Sequence, residues 1–550
     1  MFDFKGFISA LLRRPEKDPV ANLKSATIWV QELSRNDIQE AQEEIIKALV
    51  SLNENKKTTL KERIQILTYL DEKAIALQES LCRDYLTHFE TQDSTEKLYL
   101  PTILSFWEEM AESYQLCVRE FAQNPSGKKI WDKLPLLTAR ALHYYAMQVK
   151  WSYMRYFPAE NQIWRNLGRL YLFAEREGFV QNTLRLYPHY HHDTTCQAEY
   201  LQPLLLQLAS PESLLPAQIN LVDHWLDSCG RSVTLETEFR PHRQLYAVNL
   251  GDGKPGRKLR RNMLGEKYRY WGVGMLLVTI SKTVEQLKEG EMPARLGLGE
   301  ECRLPACLDL IELVTDRWAG KGQTRVHERK VNVNSVEVLQ GLKEIMLHLN
   351  PASRAQHASK QARESTAIAS AVMDFKMSAL DEENQESEPL TGAPDLFQTS
   401  PRQWIMENES LSGFGAAFEA GSKNRLKVGT LVGLRPESHK HFAIGVVRRI
   451  NKDLSSRVHV GIQTLTQTPI LVELSFLENA AKNKFVEAVY LPESSHSGLA
   501  RSILMATNNY NNGQIMQLVA QGKSYSIRLQ QPLEQTPEYT RVNFEVLAKL

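Results

Sequence analysis

Two short stretches of the chain carry residue types that can do recognition chemistry together. In "RQWIMENESLSGFGAAF" (402–418), Asn408, Ser410 and Gly413 make N-x-S-x-x-G at a strand-to-strand turn. Alternate residues of a strand share a face, so Asn408 and Ser410 offer an amide and a hydroxyl to one object. Gly413 permits either a positive φ or a close approach of backbone. Such a set can read the edge of a nucleobase. Upstream, "TRVHERKVNVNSVEVLQGL" (324–342) sets Arg325 and Arg329 four apart, just before a strand-like run. Two guanidinium groups there can grip phosphate bidentately and lie flat on planar bases. Bland readings stand beside both: Asn and Ser favour ordinary turns through local hydrogen bonds, and Arg325 and Arg329 flank His327 and Glu328 as a solvated charged loop would.

Other candidates are less coherent. "YPHYHHD" (187–193) gathers His189, His191, His192 and Asp193 near Cys196, ligand types for zinc, but not at helical spacing or in separated pairs. A loop between helices explains it equally. "GDGKPGRKLRR" (251–261) lacks the Lys-Ser/Thr of a phosphate loop and reads as a basic turn. "GLGEEC" (297–302) is G-x-G without a third glycine. No Ser/His/Asp, Cys/His or paired-carboxylate set stands out, so no enzyme is expected.

These residues need elements to hold them. Residues 400–550 are β-rich, with "LKVGTLVGLR", "HFAIGVVRRI" (441–450), "RVHVGIQTL" (457–465), "FVEAVYL", "GQIMQLV", "SYSIRLQ" and "VNFEVL" between Gly/Asn turns. Short strands at this density predict barrels. The pattern leaves open whether 468–550 forms a second barrel or completes the first. Residues 351–399, rich in Ala, Ser and Gln and then acidic, predict a flexible insertion. Residues 231–350 read as a small α+β domain ending in the R-x-x-x-R segment, with strands at "SVTLETEF" (232–239) and "QLYAVNL" (244–250) and helical runs at 269–288 and 304–318. Residues 1–230 read as helices. Ala26, Trp29, Val30 and Leu33 share a face, as do Ile38, Ala41, Ile45, Leu49 and Leu52, and Thr59 to Glu62 has capping-box spacing. Trp164-x2-Leu167-Gly168-x2-Tyr171 resembles half of a tetratricopeptide repeat, and stacked helical hairpins of that kind offer a surface to a protein partner.

The fold class expected is therefore multidomain α+β. Hydrophobic residues at 42% and charged residues at 24% fit chains that bury cores, and a net charge of +1 argues against a dedicated nucleic-acid binder. Six scattered cysteines without a CxxC pair suggest buried free thiols in a reducing cytoplasm. The start of the chain has the wrong charge order for a secretory signal, and no run of ~18 apolar residues predicts a membrane span.

The order R-x-x-x-R, N-x-S-x-x-G and then three strands ending in V-G-I (460–462) is similar to the PilZ domains, bacterial receptors for cyclic di-GMP. The resemblance covers about 325–467 and assigns the barrel to 400–467. It implies that Arg325 and Arg329 bind phosphates and stack on guanine, that Asn408 and Ser410 hydrogen-bond to the ligand, and that Gly413 shapes the turn. The implied function is a cyclic-di-GMP effector that needs no other cofactor or metal and passes binding on as a protein contact. Two departures stand out: the motifs are further apart than in typical members, and the doubled arginine often seen at the start is missing. An interaction scaffold that has lost the ligand, and a metal-dependent hydrolase built on His189 and His191, are the alternatives.

Overall fold

The computed structural model describes residues 18–33, 37–88, 93–125, 128–190, 192–321, 328–350, 401–419, 426–437, 439–476, 485–493, 498–520 and 522–550. The chain divides into two compact units, Met1–Thr324 and Arg325–Leu550. The insertion expected at 351–399 lies outside the described residues.

The first unit is built on helices whose starts are written in the sequence. Asn22 and Asp37 accept the backbone N–H of Ser25 and Glu40, both at 2.9 Å, and so cap helices α1 (Leu23–Glu32) and α2 (Ile38–Glu54). The Thr59 hydroxyl accepts from Glu62 N–H ahead of α3 (Leu60–His88). Then follow α4 (Asp93–Gln123), α5 (Leu134–Met154), α6 (Asn161–Arg176), α7 (Cys196–Leu208) and α8 (Pro216–Cys229).

One buried carboxylate ties four segments together. Asp71 of α3 accepts hydrogen bonds from the hydroxyls of Tyr114 (α4), Tyr144 (α5) and Tyr187, and Arg140 Nη1 lies 3.1 Å from it. Burial and the Asp71 charge push all three phenols well above their ordinary range.

The segment after 230 belongs to this same unit. A three-stranded antiparallel sheet, β1 (Tyr246–Asn249) between β2 (Arg257–Lys258) and β3 (Tyr268–Trp271), packs with α9 (Gly274–Lys288) and α10 (Ala306–Trp318) on the core of the preceding helices. Trp318 Nε1 donates to the Leu205 carbonyl at 2.8 Å, and Trp225 Nε1 to that of Leu298 at 3.0 Å. Trp164, Leu167 and Tyr171 are buried on α6, but Gly168 meets the sheet: a Cβ there would sit 2.4 Å from the Leu250 carbonyl oxygen.

Three expectations are corrected here. The helical run read at 269–288 starts only at Gly274, because Tyr268–Trp271 pairs as strand β3. "SVTLETEF" is no strand; after a tight turn at Gly230–Ser232 only Glu236 bridges, to Tyr270, and the rest has no sheet partner. Cys302 and Cys307 are disulfide-bonded, because the turn through Pro305 brings their Cα atoms to 5.3 Å, while Cys82, Cys117, Cys196 and Cys229 are free thiols. Among the described residues no helix is long and apolar enough to cross a membrane.

The second unit holds two closed, antiparallel six-stranded barrels. The first has the order β4 (Lys330–Gln340), β5 (Arg402–Ser410), β6 (Gly413–Glu419), β9 (Arg457–Thr466), β8 (Ala443–Lys452), β7 (Leu431–Pro436). The second runs β10 (Ile470–Phe476), β11 (Phe485–Leu491), β12 (Ser502–Ala506), β15 (Tyr539–Lys549), β14 (Lys523–Gln535), β13 (Ile515–Ala520). The strands after 468 thus close a barrel of their own. The first barrel's opening strand comes from 330–340, which corrects the α+β domain expected over 231–350: this segment pairs with β5 and β7. Helix α11 (Leu342–Leu349) lies where the barrels meet: Leu342 and Ile345 share a core with Leu431, Ile444 and Leu465 of one barrel and Val489, Leu504 and Tyr539 of the other.

Candidate functional site

β4 is the element that resolves the distance between the two motifs. It pairs antiparallel with β5, with Lys330 opposite Glu409 and Val331 opposite Asn408. Arg329 is the residue just before Lys330, so strand pairing returns the arginine segment to the N-x-S stretch across the intervening sequence. Arg329 is exposed, and Lys330 and Val331 beside it are exposed as well. Arg325 lies outside the described residues.

The turn itself is a two-residue hairpin. Ser410 pairs with Gly413, Leu411 and Ser412 form the tip, and the Ser410 hydroxyl donates to the Gly413 carbonyl at 3.2 Å. Gly413 serves close approach and not a positive φ: a Cβ there would stand 2.2 Å from the Ile462 carbonyl oxygen of β9. The amide of Asn408 lies over Gly415, with its side-chain atoms 2.7–2.9 Å from where a Cβ would be. Its Oδ1 is buried and has no hydrogen-bond partner among the described residues. A buried acceptor without a partner is costly, and a donor brought to it would lower that cost.

A β-bulge at Glu407 precedes Asn408. The Glu407 carboxylate faces His459 Nδ1 at 3.0 Å, and His459 Nε2 lies 3.4 Å from Asp453. The Ser455 hydroxyl, backbone N–H groups and His459 hold the Asp453 carboxyl at about 2. This cluster ties β9 to Glu407 of β5.

The remaining candidates are spent elsewhere. His189 sits 3.6 Å from Glu79, Asp193 pairs with Arg185 at 2.9 Å, and the Cys196 thiol is buried and donates to the Pro135 carbonyl. His191 lies outside the described residues. Among the described residues no group of three or more His, Cys, Asp or Glu is placed to hold a metal. The "GDGKPGRKLRR" segment leads into β2 and not into a helix, so it lacks the helix N-terminus a phosphate loop uses. Sequence reasoning passed over Gly415, Gly461 and Arg449, whose place beside Asn408 appears only through cross-strand register.

No curated protein and no solved structure matches the chain. Three family descriptions do, in order. Residues 24–242 match "Cyclic-di-GMP receptor FimW, N-terminal domain", 324–469 match "Cyclic-di-GMP receptor FimW, middle PilZ domain", and 475–547 match "FimW C-terminal beta-barrel domain". The resemblance drawn from the central motifs therefore extends to the helical region and to the second barrel. With all three domains of one receptor matched in sequence order, the chain belongs to the FimW family of cyclic-di-GMP receptors, whose middle domain is a PilZ domain.

Proposed function

We propose that this chain is a cyclic-di-GMP-binding effector with no catalytic activity of its own. Arg325 and Arg329 grip the phosphates, Asn408 and Ser410 bind a guanine edge, and Gly413 holds the turn flush against β9. The observation that carries the reading is the β4–β5 register, which sets the residue before Lys330 beside the N-x-S-x-x-G hairpin. The unpartnered Asn408 Oδ1 supports it, because a guanine N–H can satisfy that atom. Binding is passed on as a contact between the helical region and a protein partner. We place the protein in the cytoplasm, which the four free thiols Cys82, Cys117, Cys196 and Cys229 fit and the Cys302–Cys307 disulfide does not.

Titration calorimetry of the full chain with cyclic di-GMP is the test. Each charge-assisted hydrogen bond is worth about 1.5–3 kcal/mol, or roughly 10–100-fold in affinity. Arg329→Ala and Ser410→Ala should each weaken binding, Arg329→Ala by that full factor. A folded wild-type chain that gives no heat would leave the ligand-free scaffold as the reading to adopt.

A further inference from the structure

Two adjacent arginines on β8 have different fates. Arg448 is the extra residue of a β-bulge, since Val447 pairs with Ile462 and Arg449 with Gly461. Its guanidinium is fully engaged: Nη1 and Nη2 donate to Glu534 at 2.6 and 2.9 Å, and Nε to Gln463 at 2.9 Å. Arg449 is exposed, and its side chain has no hydrogen-bond or ion-pair partner among the described residues.

The register then places Arg449 in line with the candidate site. Asn408 is opposite Gly415, Gly415 is opposite Gly461, and Gly461 is opposite Arg449. Direct partners of an antiparallel sheet share a face, so these four residues form one row across β5, β6, β9 and β8. Adjacent strands lie about 4.8 Å apart, so the row spans about 14 Å from Asn408 to Arg449. Its two middle members are glycines, and no side chain rises between the ends. Arg449 lies down on this floor: its Cβ, Nε and Nη2 are 3.5, 3.6 and 3.9 Å from where a Cβ on Gly461 would stand. A guanidinium over a glycine, on a residue this exposed, is reachable from solvent.

We propose that Arg449 is a second, unassigned reading residue of this site, which stacks its guanidinium on a purine face of the bound dinucleotide. This rests on the cyclic-di-GMP reading above. A planar delocalised cation is suited to an anionic ligand with flat bases, and arginine does this where lysine, a compact point charge, does not. One base is read at its edge by Asn408 and Ser410, and the other lies on the guanidinium about three strands away. The two glycines add no side chain of their own, so Asn408 over Gly415 and Arg449 over Gly461 are the groups that line the row between the two bases.

The test is titration calorimetry of the full chain with cyclic di-GMP, comparing wild type with Arg449→Ala, Arg449→Lys, Arg457→Ala and Ser410→Ala. Base stacking on a side chain contributes enough for Arg449→Ala to lose about tenfold or more in affinity. Arg449→Lys should stay within about threefold of Arg449→Ala, and Arg457→Ala should bind as wild type. Circular dichroism should show all variants folded, since Arg449 and Arg457 lie outside the core. Wild-type affinity in Arg449→Ala, with Ser410→Ala still impaired, overturns the stacking residue and leaves the receptor reading intact. Full rescue by Arg449→Lys also overturns stacking, because a point charge would then suffice. Absence of binding by the wild type sinks the receptor reading and this assignment together.

Discussion

At the residue scale, single atoms decide what each position tolerates. Gly413 faces the Ile462 carbonyl so closely that a methyl group must part β6 from β9. Gly413→Ala should cost about 1–3 kcal/mol, as overpacking does, lowering the melting temperature as well as the affinity for cyclic di-GMP. Unchanged melting would mean that the strands separate freely there. Glu109 is a titrating counterpart in the first unit. Burial pushes its carboxyl up to about 7 from 4.5, with help from Glu112 and Glu108 and against the hydrogen bond from Asn53. A folded value raised above the unfolded one adds stability that is full below about 4.5 and lost as pH rises through about 7. Glu109→Gln keeps the acceptor for Asn53 and removes the titration. It should raise the melting midpoint by about 2–4 °C at pH 8 and leave it unchanged near pH 4, by calorimetry at both pH values. An equal shift at both would sever the effect from the charge. The motif spacing made Asn408, Ser410 and Gly413 legible in the sequence, because all three sit within one hairpin. Arg449 was not legible, since its link to Asn408 runs through two intervening strands and a bulge.

Elements were legible in proportion to how locally their partners lie. β8 and β9 are joined by a short turn, and their apolar runs at 441–450 and 457–465 marked them within a few residues. β4 was assigned to the wrong neighbour because its partners β5 and β7 lie beyond the 351–399 stretch, and no pattern in "KVNVNSVEVLQ" announces a pairing that distant. "SVTLETEF" alternates like a strand, yet alternation without a neighbour to bond makes no sheet. Helix α11 shows how one element joins others. Its first N–H, on Leu342, donates to Glu538 Oε1 of the second barrel at 2.7 Å. Gly341, at φ +87°, leaves the room this requires, because a Cβ there would meet the same oxygen at 2.5 Å. Glu538 thus caps a helix belonging to the other barrel, with its charge at the favourable end of the dipole. Glu538→Ala should cost about 1 kcal/mol, the ordinary loss of a cap. Urea unfolding should show it as a shift in midpoint without a change in slope. No shift would mean that water or a neighbour replaces the carboxylate without loss.

At the scale of the whole molecule, the boundaries suggested by family matches and by burial do not coincide. The matched segments separate 324–469 from 475–547, one barrel each. Burial draws no such line, because Leu342, Leu431 and Leu465 pack in one cluster with Val489, Leu504 and Tyr539. The bidentate Arg448–Glu534 pair and the Tyr539 hydroxyl, which donates to the Gly429 carbonyl at 3.1 Å, cross the same junction. A barrel cut from its neighbour would expose these apolar side chains and strand the charges and caps that cross with them. Removing one partner of a paired charge costs more than the pair contributes when intact, so the halves lose more than buried area alone implies. A fragment of residues 325–550 should therefore unfold in one cooperative transition, with both barrels melting together. A fragment ending at 469 should be destabilised by several degrees or fail to fold, since each lost kcal/mol lowers the midpoint of a domain this size by about 2–4 °C. Two separable transitions in 325–550, or a 325–469 barrel as stable as the pair, would show that the shared cluster carries no cooperative energy. A single transition would make occupancy of the β5–β6 hairpin and the stability of the second barrel parts of one equilibrium, because a ligand that binds only the folded state stabilises every element that unfolds with it.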